Sequence, residues 1–138
     1  MSNLSGRCAC GAVRWSSDAT MLWAAHCHCE SCRRATGAPF TSYFGLPAEA
    51  VKWTGTLAAF ESSEGSVARH FCATCGTHMS YASTRWPEEV HLYAASLDDP
   101  SAYRPTAHVY FGARLPWVEL DDGLPKYTDT AGSPEITP

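Results

Sequence analysis

Seven cysteines, gathered in three short clusters, restrict the possible folds of this chain more than any other feature. Two lie in "CAC" (8–10), three in "CHCESC" (27–32) and two in "CATC" (72–75). Cysteines one or two residues apart can present their sulfurs to one tetrahedral zinc ion from a single tight turn. An odd number of cysteines cannot all pair as disulfides within one chain. Metal binding is therefore favoured over a disulfide framework or a set of free buried thiols.

The number of cysteines predicts how they divide between two sites. A structural zinc takes four protein ligands, whereas a catalytic zinc keeps three and leaves one position open. The two outer pairs supply four thiols, and the central run supplies three. From spacing alone, a closed second site completed by His26, His28 or a distant histidine is as plausible as an open one. The predicted closed site contains Cys8, Cys10, Cys72 and Cys75, and the predicted open site contains Cys27, Cys29 and Cys32.

The pattern around the cysteines favours zinc over redox chemistry. In "FCATCG" (71–76) an apolar residue precedes the pair, and Gly76 follows it where a tight turn needs a positive φ. A thioredoxin-like role for Cys29 and Cys32 is disfavoured because no βαβ pattern surrounds them.

Composition excludes several classes of partner. The chain has 138 residues, a formal net charge of −4 and no run of basic residues beyond Arg33 and Arg34. We therefore expect neither a nucleic-acid nor an anionic-membrane partner. No apolar run reaches the roughly 18–20 residues that span a bilayer, and the start lacks a signal-like apolar region. These features, with the odd number of cysteines, predict a cytoplasmic protein.

Short segments punctuated by glycine and proline predict a mainly β fold of the sandwich or barrel-like type. We expect one domain over residues 1–127 and a loose tail over 128–138, because the end is small, polar and proline-containing. Helical turns are predicted over 30–36 and 47–51. Strands are predicted over 11–17, 21–27, 39–46, 57–62, 66–72, 77–83, 89–96 and 107–111.

The three clusters together, in this order, resemble the glutathione-dependent formaldehyde-activating enzyme (GFA) family, which also contains centromere protein V. The resemblance runs from Gly6 to Trp117 through "GRCACGAVRW", "HCHCESCRRATGAPFTSYFG", "HFCATCGTHMSY" and, more weakly, "SLDDP" and "HVYF". It implies a β-tent fold of short antiparallel strands with zinc-ribbon-like knuckles. It also implies two zinc ions per chain, one structural and one catalytic. Position by position, the four outer cysteines match the structural site and the three central cysteines the catalytic site.

The resemblance also implies a carbon–sulfur lyase that adds glutathione to formaldehyde and catalyses the reverse reaction. Arg33 and Arg34 are candidates for holding the carboxylates of a glutathione-like peptide. The histidines at 26, 28 and 78 are candidate proton-transfer groups, and no one of them is preferred. Phe40, Tyr43 and Phe44 could line a pocket or belong to the core.

Two other functions stay open on the sequence. One is a non-catalytic, zinc-stapled binding module, as the centromere member suggests. This chain, however, has no basic, proline-rich extension. The other is an enzyme of the same fold that acts on a different thiol or electrophile. Oligomeric state is not predicted.

Overall fold

A computed structural model describes residues 3–136 and confirms that the chain is mainly β. The described residues form ten strands, one α-helix and several short 3-10 turns. No helix in this part of the chain has the length and apolarity needed to cross a membrane. The strands are β1 (Leu4–Arg7), β2 (Arg14–Ser17), β3 (Trp23–Cys27), β4 (Thr41–Pro47), β5 (Lys52–Thr54), β6 (Leu57–Glu61), β7 (Val67–Cys72), β8 (His78–Ser83), β9 (Glu89–Tyr93) and β10 (His108–Val109), and the helix is α1 (Glu30–Thr36).

The predicted strands are all present, but several are shorter than predicted. The segment before Arg14 is a turn around the first cysteine pair, because Cys8 N–H bonds back to the Val13 carbonyl. The ends of the predicted strands 89–96 and 107–111 are 3-10 turns, Ala94–Ser96 and Phe111–Ala113. Strands β1 and β5 were not predicted, because four and three residues are too few to show an alternating pattern.

The chain folds into two compact units. The first contains Met1–Leu22 and Phe44–Tyr103, and the second contains Trp23–Tyr43 and Arg104–Pro138. Strand β4 continues from the second unit into the first. The domain boundary expected at residue 127 stays a prediction.

In the first unit the strand pairs β1–β2, β2–β5, β6–β7, β7–β8 and β8–β9 are all antiparallel. Strands β1, β2 and β5 form one sheet in that order, and β4, β9, β8, β7 and β6 follow one another in the other. Trp15 and Phe44 pack ring against ring at 5.8 Å in its core, with Leu46, Met79 and Leu92 fully buried. The β7–β8 register shifts at His70 and Phe71, immediately before the second cysteine pair.

The second unit brings together distant parts of the chain. Strand β10 pairs with β3, with His108 opposite His26 and Val109 opposite Cys27. This pair is parallel, unlike the antiparallel strands predicted. Tyr127 N–H donates to the His108 carbonyl, and Phe111 N–H donates to the Tyr127 carbonyl. Within the predicted tail, the Asp129 carbonyl accepts from Tyr110 N–H at 2.8 Å and Ile136 N–H donates to the Lys126 carbonyl at 2.7 Å, while residues 137 and 138 lie outside the described residues.

Helix α1 occupies the predicted residues 30–36 and follows the central cysteine run directly. Cys29 caps its N-terminus, because its sulfur accepts a hydrogen bond from Cys32 N–H at 3.4 Å. Gly37 ends the helix with a φ of 71°, and its N–H bonds to the Arg33 carbonyl at 2.8 Å. This capping fixes two of the three central cysteines relative to each other.

Candidate metal centres

The two outer cysteine pairs meet in the first unit. Their four sulfurs all lie within 4.8 Å of one another, and no further ligand from residues 3–136 belongs to the group. The Sγ atoms of Cys8 and Cys10 are 3.6 Å apart, and those of Cys10 and Cys72 are 3.8 Å apart. Four sulfurs bound at about 2.3 Å around a tetrahedral zinc would lie roughly 3.8 Å from one another. The cluster therefore has the spacing of a closed tetrathiolate site and could bind a metal ion.

Tight turns hold these sulfurs in place. Val13 N–H donates to Cys8 Sγ at 3.3 Å, and Cys75 N–H donates to Cys72 Sγ at 3.4 Å. Gly76 follows with the positive φ, 78°, that the knuckle pattern predicted. Backbone N–H groups directed at sulfur stabilise the thiolate form that binds metal.

The thiols of this cluster strongly perturb one another. The Thr77 hydroxyl and backbone N–H lower the pKa of Cys75 to about 5. A backbone hydrogen bond from Ala12 acts to lower the pKa of Cys10. The neighbouring Cys8 thiol, burial and the other thiols act in the opposite direction. Together they raise the pKa of Cys10 to about 11. Thiolates this close repel one another, and a divalent cation would remove that repulsion. The donor set therefore fits a zinc ion.

The three central cysteines meet in the second unit. Cys27, Cys29 and Cys32 have sulfurs within 4.8 Å of one another, and no histidine or carboxylate of the described residues joins them. The sequence left open whether His26 or His28 completes this site as a fourth ligand. In the structure neither ring belongs to the group, so within the described part of the chain three thiols form the donor set.

Exposure and hydrogen bonding differ among these three thiols. Cys27 and Cys32 are buried, whereas Cys29 is partly exposed. Hydrogen bonding to the Cys29 and Cys32 thiols, followed by burial, raises the pKa of the Cys27 thiol. Tyr43 O–H donates to Cys32 Sγ at 3.5 Å. Two sulfurs of the cluster are therefore buried, and one of these, Cys32 Sγ, accepts a hydrogen bond from the Tyr43 phenol. The third sulfur, that of Cys29, can be reached from solvent. Its three soft donors also fit a zinc ion.

A row of imidazoles lies in the same unit as the three-cysteine cluster. His28 is completely buried, and its Nε2 is 2.9 Å from Nδ1 of His108. Nε2 of His108 is 2.7 Å from the Asp122 carboxylate. Burial, followed by the neighbouring His108, lowers the pKa of His28 to about 4, so this ring is neutral at neutral pH. Burial acts to raise the pKa of Asp122, but hydrogen bonds from His108 and the Leu124 N–H lower it.

The other candidate histidines occupy different surroundings. His26 Nδ1 is 2.8 Å from the Ser42 hydroxyl, and its ring lies 4.9 Å from that of His108. His78 belongs to the first unit, where its ring packs against Phe71. Of the three histidines singled out from the sequence, His26 and His28 belong to the unit with the three-cysteine cluster.

The two arginines behind the cysteines have different roles in the structure. Arg33 is half-buried and donates to the backbone carbonyls of His28 and Ala113, at 3.4 and 3.3 Å. Arg34 is exposed and forms a 2.9 Å ion pair with Glu30, one helical turn earlier. Arg33 therefore ties the cysteine loop to the segment after β10. The guanidinium of Arg34 faces solvent.

The three aromatic candidates also lie in different surroundings. Phe40 lies against His28, with ring centroids 5.0 Å apart, and Tyr43 reaches Cys32. Phe44 is fully buried against Trp15 in the first unit and is a core residue.

Sequence reasoning missed His108 and Asp122. His108 lies in a strand of two residues, and Asp122 lies in "LDDGLP", which is typical of a turn. Neither residue type nor spacing connects positions 28, 108 and 122 along the chain. The parallel pairing of β10 with β3 is what brings them together.

The fold and the two thiol clusters define a mainly β protein with zinc-ribbon-like cysteine knuckles and two candidate metal sites. The sequence profile of the family described as "Glutathione-dependent formaldehyde-activating enzyme" matches residues 3–113, and the chain belongs to this family. The match includes all seven cysteines.

A sequence relative and a solved structure are also similar to this chain. A Halomonas elongata protein named "Putative glutathione-dependent formaldehyde-activating enzyme" is 28% identical over 127 residues, covering 86% of this chain and 81% of that protein. A crystal structure of a Rhodobacter sphaeroides protein matches with a TM-score of 0.56 and 26% identity. That match covers 70% of this chain and 92% of the crystallised one.

Proposed function

We propose that the protein is a zinc-dependent carbon–sulfur lyase that forms and cleaves S-hydroxymethylglutathione. Two findings support the proposal: membership of the family and a cluster of three thiols with no fourth protein ligand among the described residues. The second finding carries it, because a thiol site short of one ligand is typical of a catalytic rather than a structural zinc.

The proposed reaction is a redox-neutral addition. The glutathione sulfur forms a bond to the formaldehyde carbon, the carbonyl π bond breaks, and the carbonyl oxygen takes a proton while the thiol loses one. Cys27, Cys29 and Cys32 would hold the zinc. When bound, zinc would lower the pKa of a thiol that reaches its open position.

The surrounding residues support this chemistry by fixing the donor set. The Tyr43 O–H bond to Cys32 stabilises negative charge on that sulfur. Arg33 holds the loop in place through the His28 carbonyl. Cys29, the partly exposed member, marks the side from which a thiol substrate approaches.

Of the two arginines, Arg34 is the stronger candidate for a carboxylate of glutathione. Its side chain is 76% exposed and already pairs with a carboxylate, that of Glu30. A glutathione carboxylate could take the place of Glu30 in this pair. Arg33 already donates from Nε and Nη2 to main-chain carbonyls, so its contribution to substrate binding would be secondary.

The four-cysteine cluster is proposed as the structural zinc site. Cys8 and Cys72 are almost completely buried, and the cluster joins residues more than sixty positions apart. We further propose a cytoplasmic location, because seven unpaired thiols suit a reducing compartment.

Exchange spectroscopy by NMR tests the activity. Wild-type protein should accelerate exchange between free glutathione and S-hydroxymethylglutathione, and Cys29→Ser should leave the uncatalysed rate. The control is Ser16→Ala, which changes an exposed side chain of β2 in the first unit, outside the three-cysteine cluster. Absence of acceleration by a wild-type protein loaded with zinc would reject the lyase and leave a binding module or a different substrate pair.

A further inference from the structure

Two arginines flank the first cysteine pair in the first unit. Residues 8–13 connect β1 to β2, and Arg7 and Arg14 on either side of them are partners in the β1–β2 register. Cys8 N–H bonds to the Val13 carbonyl at 3.0 Å and closes the same turn. Both arginines are exposed. The turn that carries the first cysteine pair therefore has a cationic residue at each end.

The two guanidinium groups lie close to each other and to this turn. A Cβ added to Gly11 would lie 3.5 Å from Arg14 Nη2 and 4.0 Å from Arg7 Nη1. Arg7 Nη1 also donates to the carbonyls of Cys8 and Ala9, at 3.0 and 3.1 Å. Because Cys8 belongs to the four-cysteine cluster, the cation of Arg7 is held on the main chain of a candidate metal ligand.

No carboxylate accounts for this pair of cations. Like charges opposite each other on neighbouring strands destabilise a sheet. Within residues 3–136 neither arginine is ion-paired, since the ion pairs there all involve other side chains. The guanidinium of Arg14 makes no hydrogen bond in this part of the chain either. Something other than an acidic side chain must offset the repulsion between Arg7 and Arg14.

The four-cysteine cluster would supply the opposite charge when it holds zinc. Four thiolates around one divalent ion carry a net charge of about −2. Neither "CACGAV" (8–13) nor "CATCGT" (72–77) contains a charged side chain apart from its cysteines. Charges interact over the Debye length, about 8 Å at physiological salt, so a guanidinium need not touch a sulfur to stabilise it. The two arginines match the charge of the loaded cluster in number and in sign.

We propose that Arg7 and Arg14 are the counter-charges of the four-cysteine cluster and strengthen its binding of the metal. The inference rests on the proposed function for the presence of a structural zinc at this cluster. Neither arginine is a ligand. Arg7 is fixed by its bonds to the turn, whereas Arg14 acts through its charge alone, which makes Arg14 the more informative residue to change.

Chelator competition measures the effect on the cadmium-substituted, full-length protein. EDTA is titrated in while cadmium-113 NMR follows the resonance of the four-cysteine cluster. In Arg14→Gln this resonance should disappear at an EDTA concentration about three- to tenfold lower than in the wild type. Arg7→Gln should shift the titration in the same direction. Circular dichroism of the loaded variants should match the wild type, because both side chains are exposed.

Two variants and a salt series separate charge from other effects. Arg14→Lys keeps the charge and should keep the wild-type titration. Lys52→Gln removes an exposed cation from β5 of the same sheet, outside the turn, and should also match the wild type. At about 1 M salt, where the Debye length is about 3 Å, the difference between Arg14→Gln and the wild type should largely vanish.

The inference and the proposed structural site fail in different ways. If the wild-type protein shows a tetrathiolate resonance that Arg7→Gln and Arg14→Gln lose only at the wild-type EDTA concentration, the counter-charge role is wrong and the structural site stands. An equal shift in Arg14→Lys and Arg14→Gln would also overturn the role, because the charge would not be its cause. A wild-type protein with no tetrathiolate resonance would reject the structural site and the inference together.

Discussion

The two thiol clusters use the same amino acid in different arrangements. The four-cysteine cluster takes its members from two hairpin-like turns far apart in sequence, and its donor set is complete. The three-cysteine cluster takes all its members from one run of six residues, and no fourth ligand of the described residues joins it. The larger set joins distant segments, whereas the smaller one lies beside a helix cap, and it is the set that we propose to be open.

The surroundings of the clusters differ as much as their ligand counts. Backbone N–H groups and the Thr77 hydroxyl contact the sulfurs of the four-cysteine cluster. At the three-cysteine cluster the Tyr43 phenol contacts a sulfur, and the buried pair of His28 and His108 belongs to the same unit. This contrast is the basis of the predictions below.

Loss of the closed site should have the largest effect. Cys72→Ser removes a buried ligand from the four-cysteine cluster and should unfold or aggregate the protein. The binding energy of a structural zinc, on the order of 10 kcal/mol, contributes directly to folding. Circular dichroism and thermal melting measure the outcome. A folded Cys72→Ser protein with wild-type melting would contradict the division between the two clusters.

Loss of a ligand from the open site should separate activity from folding. Cys29→Ser should keep the circular dichroism spectrum of the wild type, bind one zinc instead of two and lose exchange activity. Cys29 is partly exposed, and the described structure gives it no role in joining distant segments. Zinc analysis by mass spectrometry, with Cys72→Ser as the opposing variant, checks this. Unfolding of Cys29→Ser would show that the second cluster is structural as well.

Two glycines give a matched test of backbone restraint in the two units. Gly55 has a φ of 93°, and an added Cβ would collide with the Ala12 carbonyl beside the first cysteine pair. Gly37 has a φ of 71° in open space after α1. Gly55→Ala should cost more than about 2 kcal/mol, and Gly37→Ala about 1 kcal/mol. Chemical denaturation measures both, and equal costs would contradict the tight packing at Gly55.

The smallest effect is expected at the exposed ion pair of α1. Arg34→Ala should change the free energy of unfolding by less than about 0.5 kcal/mol. Its ion pair with Glu30 is exposed and joins residues one helical turn apart, and such pairs contribute little. If Arg34 binds a glutathione carboxylate, KM for glutathione should rise about two- to fivefold with kcat unchanged. An unchanged KM would remove Arg34 from the substrate site.

Sequence reasoning predicted the parts of the site that depend on local spacing. The cysteine division, the helix at 30–36 and the turn at Gly76 all follow from residues close together in the chain. It could not predict His108 and Asp122, because their approach to His28 depends on a two-residue parallel strand. That neither His26 nor His28 joins the central thiols likewise required the structure, since both are near enough in sequence to do so.

Cadmium-113 NMR of the cadmium-substituted protein, titrated with glutathione, tests the central claim most directly. The account predicts two resonances, because the chemical shift of cadmium depends on how many sulfurs bind it. The resonance of the four-cysteine cluster should stay fixed, and that of the three-cysteine cluster should move downfield as a fourth sulfur binds. Two resonances that both lie at the tetrathiolate position before glutathione is added, or that both stay fixed throughout, would contradict an open site at Cys27, Cys29 and Cys32.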